Sequence, residues 1–443
     1  MKSTLSRAAR FGPLALAALL VTGCTTASET STSTSTAATS AAETSAESSA
    51  TSAGSSEGSA TSEASTSEAT GSAAAPTGDP IVIGHTAGMT GFMSVFDIPV
   101  EQGMQMAIDD INAAGGVLGR PLELVTNDNA TDPTRIQTAA REIIEQGADF
   151  IVPSCDFDIG APAAREALAA NIVAIGCAGG PQFGYDGIGA NTYNTHISSP
   201  AEGSVMATWA FEQGYTNPYV IVDDTLEYSQ VAAESFITQW EALGGTIAGQ
   251  DTFQSGDTSA ASQVTGIQQA QPDLIVAGSY PPGGATLIQQ IRSAGIETDM
   301  MGLQAFDGTY WLESIPNLSN FFIPATASMY GDDPRADINA FFERIETETG
   351  EPAASGFYPL SGYSSVQALA TAIEEAGSTD TAAVEAALNS FTDEPLLIGS
   401  TTYTDTCHIP SARPQLVLEY TDGRPAVVAQ DVVVTEVPGG NPC

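Results

Sequence analysis

The sequence predicts an α/β protein of two doubly wound lobes joined by several crossings of the chain. Three observations carry that expectation. From Pro80 onward, short β-branched runs alternate with stretches of helical period. The rhythm runs to Ile175 and restarts at Tyr219. Roughly 360 residues remain beyond the low-complexity N-terminal segment, more than one hydrophobic core ordinarily serves.

In chain order, Ile81-Val-Ile-Gly84 reads as a strand, and Val100, Met104, Ile108 and Ile111 recur at helical spacing up to Ala114-Gly-Gly116. Leu122-Glu-Leu-Val125 is the second strand. Asp132-Pro133 then supplies an N-cap acid and an N1 proline for a helix whose apolar face carries Ile136, Ala140, Ile143 and Ile144. Phe150-Ile-Val152, a helix over Pro162–Ala170 and Ile172-Val-Ala-Ile175 complete the first series. The second series runs through strand Tyr219–Val222, helix Val231–Ala242, strand Leu274–Ala277, helix Ala285–Ala294 and a strand near Asp299–Met301. Around Phe321–Ile323 the chain leaves it for two helices, Ile338–Thr349 and Ser364–Ala376. From Thr402 to Glu436 the pattern is strand-like, with Gln415–Tyr420 and Asp422-Gly423 predicting a hairpin. Residues 80–197 plus 325–399 are expected to form one lobe, and 198–324 plus 400–443 the other. Open α/β sheets bind ligands beyond the carboxyl ends of their strands, so the site is expected in the cleft between the lobes.

The first 23 residues read as a secretory leader: Lys2, Arg7 and Arg10, a short apolar run from Leu14, then small residues. Val21-Thr-Gly-Cys24 resembles the lipobox of bacterial lipoproteins, which implies a lipid on Cys24 and a chain tethered outside the cytoplasmic membrane. Residues 24–79 are almost wholly Ser, Thr, Ala, Gly and Glu, with no residue able to build a core. They are expected to be a disordered tether, a candidate for O-glycosylation, with a reach of roughly 40 Å that suits a Gram-positive wall. Within it Gly54-Ser-Ser-Glu-Gly58 matches a hydrolase elbow, but neither the strand nor the helix of that elbow can form there. The formal charge of −41 falls to about −44 when the three leader cations are removed, leaving nine Arg and no Lys. Such an acidic chain excludes nucleic acid and anionic lipid surfaces as partners of the folded part. Besides Cys24, four cysteines remain for an oxidising compartment. Three pairings are open, of which Cys155–Cys177 and Cys407–Cys443 join neighbouring parts of the chain. No metal-ligand spacing occurs, and no cofactor motif: Gly187-Ile-Gly189 does not directly follow a strand.

Several segments resemble the branched-chain amino acid receptors among the type I periplasmic substrate-binding proteins of ABC importers. Ile81–Gly84 with Met89-Thr90-Gly91 is similar to that family's opening strand and ligand loop. Ile111-Asn-Ala-Ala-Gly-Gly-Val-Leu-Gly-Arg120, the most specific piece, and Asn127-Asp-Asn-Ala-Thr-Asp-Pro133 match later landmarks. So do Asp224 with Tyr228, Gly278-Ser-Tyr280 and Met301-Gly302. The likeness runs in order from Pro80 to about Asp422. It implies a type I periplasmic binding protein fold with three hinge strands, a monomer that closes on a small-molecule ligand, and docking on a membrane permease pair.

The resemblance implies ligand contacts from Thr90, Phe96, Asp156, Phe157, Asp158, Gly179, Gly180, Tyr228, Tyr280 and Gln304. It also exposes departures. Receptors of this family hold a ligand carboxylate with a hydroxyl-rich loop after the strand Phe150–Val152 and with the loop after Ile175. Here the first loop reads Ser154-Cys-Asp156-Phe157-Asp158-Ile-Gly160, and the second, Cys177-Ala-Gly179-Gly180, has no hydroxyl. The family's acidic partner for the ligand ammonium falls at Gln304, which is neutral. Two carboxylates would oppose a bound carboxylate, so an acidic, aromatic cleft is expected to suit a cationic or hydrogen-bond-donating solute of the amino acid, amide or amine class. Asp156 and Asp158 could instead cap the following helix, and Phe157, Tyr228 and Tyr280 could instead be packing residues. Two other functions compete: a ligand sensor signalling to a membrane kinase, and an extracellular hydrolase using Asp156 and Asp158. The second suffers because those acids lie two residues apart on one loop.

Overall fold

The computed structural model describes residues 75–180 and 187–433. The leader, Cys24, nearly all of the expected tether and Cys443 lie outside the described residues. Among those described, no helix is long and apolar enough to cross a membrane.

The first sheet is wholly parallel, in the order β2-β1-β3-β4-β5. Its strands are β1 (Ile81–Ala87), β2 (Leu122–Asp128), β3 (Phe150–Pro153), β4 (Val173–Gly176) and β5 (Thr192–Asn194). The inner strands are almost continuously buried, as expected where helices cover both faces. Helices α1 (Ser94–Ala113), α2 (Ile136–Glu145) and α3 (Phe157–Ala169) connect them. The second unit adds α4 (Ser199–Gln213), β6 (Pro218–Asp223), α5 (Glu227–Ala242), β7 (Gly249–Phe253), α6 (Ala261–Ala270), β8 (Leu274–Gly278), α7 (Gly283–Ser293), β9 (Asp299–Gly302) and β10 (Phe321–Ala325). The chain then returns to the first core through α8 (Ala336–Thr349), α9 (Phe357–Ala376), α10 (Thr381–Leu388) and the small ladder β11 (Glu394–Leu396) with β12 (Gly399–Thr401). Ile338, Phe341, Leu369 and Val384 pack in one cluster with Ile83 and Phe150. Finally β13 (Gln415–Thr421) and β14 (Arg424–Val432) complete a seven-stranded sheet, β14-β13-β10-β9-β8-β6-β7, with β13 antiparallel to β10.

The chain therefore passes three times between the two sheets, and polar side chains tie the crossings together. Buried Arg413 donates to the carbonyls of Thr195 and Ser400 and to Thr401 Oγ1. Gln304 Nε2 donates to Thr326 Oγ1 at 3.1 Å, and Thr326 Oγ1 donates to Gln415 Oε1 at 3.1 Å.

Several expected boundaries are corrected. The second helix starts at Ile136 with no side-chain cap, because Asp132 accepts instead from Thr134 N at 2.8 Å and closes a local turn. Helix α3 begins at Phe157, five residues before the expected Pro162, because Asp156 is its N-cap and accepts from Ile159 N at 3.0 Å. Helix α9 begins at Phe357 rather than Ser364. Strands β5, β7, β11 and β12 and helices α4, α6 and α10 were not anticipated, and Thr402–Pro414 is irregular rather than strand. The hairpin turn falls where expected, with Asp422 and Gly423 both at positive φ (51° and 72°).

Each unit contains a close helix crossing that requires glycine. A Cβ on Gly103 of α1 would lie 1.8 Å from Pro359 O, and one on Gly362 of α9 would lie 2.0 Å from Val100 O. The counterpart is Gly203 of α4, whose Cβ would lie 2.0 Å from Ala232 O of α5. In each case the obstructing atom is backbone, which cannot rotate away. Gly362→Val is expected to cost at least about 2 kcal/mol in urea unfolding. Gly256→Ala, where a Cβ meets open space, is expected to stay within about 0.5 kcal/mol of the parent. Equal effects at the two positions would contradict the packing account.

Candidate functional site

The cavity lies where the carboxyl ends of strands from both sheets face each other, the position open α/β sheets use for ligands. Its empty space, counted together with open solvent at the mouth, is about 520 Å³. Phe92, Met93 and Phe96 enter from the β1–α1 connection, Cys155, Asp156 and Phe157 from the segment after β3, and Cys177, Gly179 and Gly180 from the loop after β4. From the second unit come Leu226 and Tyr228 after β6, Tyr280 after β8 and Ala305 after β9. His196, on the first crossing, and Phe357 and Tyr358, in the first turn of α9, close the wall. Seven of these sixteen residues are Phe or Tyr, and Asp156 is the sole carboxylate, with no Arg or Lys. Rings meet along both sides. Phe92 and Tyr280 face each other across the mouth at 6.3 Å between centroids, while His196, Phe357, Tyr358 and Phe96 form a continuous series of ring contacts at 4.0 to 5.1 Å.

The β3–α3 segment has its donors turned inward. Asp97, fully buried on α1, accepts from Ser154 Oγ at 2.5 Å and Gly88 N at 2.7 Å, both through Oδ2, and from Cys155 N at 2.9 Å through Oδ1. Burial pushes the Asp97 carboxyl upward, opposed by His85 and by these donors. The protein's own carboxylate thus occupies the hydroxyl and amide set of this segment. The expected Cys155–Cys177 disulfide is present, with S–S of 2.03 Å, and joins the two loops under the cavity. Cys407 is also disulfide-bonded.

Seven of the ten residues expected at the site are brought together: Phe96, Asp156, Phe157, Gly179, Gly180, Tyr228 and Tyr280. Three are not. Thr90 faces outward, donating through N and Oγ1 to Asp128 at 3.2 and 2.8 Å. Asp158 reaches instead across to the second unit and accepts from Glu227 N at 2.9 Å. It thereby caps the N-terminus of α5, whose own N-cap residue, Leu226, makes no side-chain cap. Gln304 sits behind the wall, where Oε1 accepts from His196 Nε2 at 2.9 Å. Asp156 is both an N-cap and a cavity residue, only 8% exposed, and its pKa is pushed up to about 7, chiefly by burial, with the nearby charges of Asp158 and Asp97 adding. Phe157 packs on Gly180, where a Cβ would lie 2.6 Å from the ring. The two acids proposed for hydrolysis thus cap two different helices rather than flank one bond.

Residues missed from sequence fall into two groups. Phe92, Met93, Leu226, Ala305, Phe357 and Tyr358 line the wall at helix starts or strand exits; placing the start of α9 at Phe357 would have revealed two of them. His196 and Glu202 are polar and buried. Burial lowers the His196 pKa to about 4, so its ring is neutral at pH 7. Glu202 Oε1 accepts from Gln304 N at 2.6 Å and Tyr228 OH at 2.9 Å, while Oε2 has no partner among the described residues. Burial raises the Glu202 pKa to about 7.

A family model described as periplasmic binding protein matches residues 80–423, and the chain belongs to that family. A Leu/Ile/Val-binding protein homolog of Brucella melitensis is 26% identical over 336 residues, covering 75% of this chain and 89% of that protein. The Leu/Ile/Val-binding protein BraC3 of Rhizobium johnstonii matches to the same extent. Among solved structures, the leucine binding protein LivK of Thermotoga maritima superposes with a TM-score of 0.70 at 21% identity, covering 82% of this chain and 99% of its own. LivJ of Streptococcus pneumoniae, solved with isoleucine, also gives 0.70 at 21%, covering 80% and 99%. These relatives and structural neighbours are binding proteins, not enzymes, and the likeness establishes the type I periplasmic binding protein fold.

The raised pKa of Glu202 has a definite sign. Its folded value lies above that of an unfolded glutamate, so its contribution to stability is fully present below about pH 4 and is lost as pH rises through about 7. Gln imitates the protonated acid at every pH. Glu202→Gln is therefore expected to gain in melting temperature relative to the parent between pH 4.5 and 8. A difference that is flat or falls with pH would contradict the buried, ion-free setting of this group.

Proposed function

We propose that this chain is the extracytoplasmic solute receptor of an ABC importer. It captures a small polar molecule of the amino acid, amide or amine class between its lobes and delivers it to a membrane permease pair. The observation that carries this reading is the cavity itself, with walls contributed by the strand ends of both sheets and by a hinge crossing. A ligand there touches both units at once, so its binding free energy favours the closed arrangement over the open one by whatever contacts it gains on closure. Membership of the periplasmic binding protein family supports the receptor role. The relatives' names favour small organic solutes: leucine, isoleucine and valine for the curated proteins, isoleucine for the Streptococcus structure. A Rhodopseudomonas palustris solute binding protein of the same fold, 16% identical with a TM-score of 0.70, was solved with benzoate, so the architecture also admits ligands without an amino group.

The lobes in this reading are residues 80–197 plus 325–399 and residues 198–324 plus 400–443. The lipobox-like segment Val21–Cys24 and the tether behind it support a chain held by lipid to the outer face of the membrane, and the family resemblance favours a monomer. Lobe closure is the event a permease would read. Asp158 favours the closed form, since its hydrogen bond to Glu227 N bridges first unit to second.

The test is a thermal-shift screen of the full chain against branched-chain amino acids, amides and amines, followed by small-angle scattering with any hit. A true ligand at a hundred times its dissociation constant adds about 2.7 kcal/mol to the native state. It is expected to raise the melting temperature by several degrees and reduce the radius of gyration. Stabilisation with no change in compactness would argue against capture by closure.

A further inference from the structure

The wall of the cavity combines one carboxylate with many rings. Asp156 is its only charged side chain among the described residues, and His196 stays neutral. The hydroxyl and amide donors at the end of β3, Ser154 Oγ and Cys155 N, are bound to Asp97, as is Gly88 N after β1. The Tyr228 hydroxyl is engaged twice, donating to Glu202 Oε1 and accepting from Ala305 N at 3.3 Å. A primary ammonium brings three N–H donors that each need an acceptor. A quaternary ammonium brings none: it spreads its charge over alkyl groups that pack against ring faces. A neutral apolar ligand would cover Asp156 and offer its carboxyl neither a hydrogen bond nor a counter-charge, which is unfavourable for a polar group already more than nine-tenths buried.

Resting on the receptor reading above, we propose that the ligand is a small organic cation carrying a quaternary ammonium group. The group is caged by Phe92, Phe157, Tyr228, Tyr280 and Tyr358, and its charge is met by Asp156. Phe92 and Tyr280, one from each unit, stand across the mouth, so closing the lobes completes the cage around the cation. The Cys155–Cys177 bridge and the N-cap bond to Ile159 hold the carboxylate in place before the ligand arrives.

The experiment is titration calorimetry of the full chain with choline, with its uncharged carbon isostere 3,3-dimethylbutanol, and with leucine, acetamide and benzoate. Choline is expected to bind at least about tenfold more tightly than the isostere. Asp156→Asn keeps a competent N-cap and so keeps the fold. It is expected to weaken choline about tenfold or more and to leave the isostere unchanged. Tyr280→Leu keeps apolar volume but removes the ring face and is expected to weaken choline about threefold to thirtyfold. Equal affinity for choline and the isostere, or an Asp156→Asn variant that binds choline as the parent does, would overturn the proposal. If leucine, acetamide or benzoate binds and compacts the protein while choline does not, the cage is wrong and the receptor reading stands. If no solute in the panel or in the wider thermal-shift screen binds, both fall.

Discussion

The site is organised by one buried carboxylate. Asp97 draws Gly88 N, Ser154 Oγ and Cys155 N to itself, and so ties the ends of β1 and β3 to the first turns of α1. Hydrogen bonds to a charged group contribute roughly 1.5–3 kcal/mol each, and a buried carboxylate without them would be strongly destabilising. The consequence reaches the cavity directly. With its donors turned inward, the segment after β3 offers the cleft an N-cap acid and a ring instead of hydroxyls. The disulfide to Cys177 then binds the next loop to the same arrangement.

The two units solve the same packing problem by the same means, which is why the cavity between them is defined. In each, a helix following a strand crosses a neighbouring helix so closely that glycine is required: Gly103 with Gly362, and Gly203 against Ala232. Close crossings stiffen each unit against internal deformation. The three passages of chain between the sheets remain as the places where motion can concentrate. They are tied by Arg413, Gln304, Thr326 and Gln415 through directional hydrogen bonds rather than through a shared apolar core. Asp158 and the Phe92–Tyr280 pair add contacts on the cleft side.

Much of this was legible in the chain. Buried parallel strands such as β1, β3 and β8 are runs of β-branched residues, and their alternation with helical spacing is sufficient to predict two doubly wound sheets. Strand β7, Gly-Gln-Asp-Thr-Phe, lies at a sheet edge with alternate residues exposed and carries no such run. Helix α6 buries little besides Gln263 and Ile267, so its apolar stripe is faint. Helix starts were the weak point for function. Pro162 sits in the second turn of α3 and Pro359 in the first turn of α9, and they masked starts at Phe157 and Phe357. The residues hidden there, Phe357 and Tyr358, form much of the aromatic wall. The outward turn of Thr90 and the indirect place of Gln304 were not legible, because both depend on partners, Asp128 and His196, distant in sequence. The inward grip of Asp97 has the same origin: nothing local to Val95-Phe-Asp-Ile98 reveals that two other strand ends converge on it.

Chemical rescue of Asp97→Ala tests that grip most directly. Truncation leaves a space lined by Gly88 N, Ser154 Oγ and Cys155 N, which a small carboxylate fits. Formate is expected to raise the melting temperature of the variant, in a saturable manner, while leaving the parent protein unchanged. If formate acts equally on both proteins or on neither, those donors are not held for an anion, and the inward-facing set cannot be what shapes the cleft.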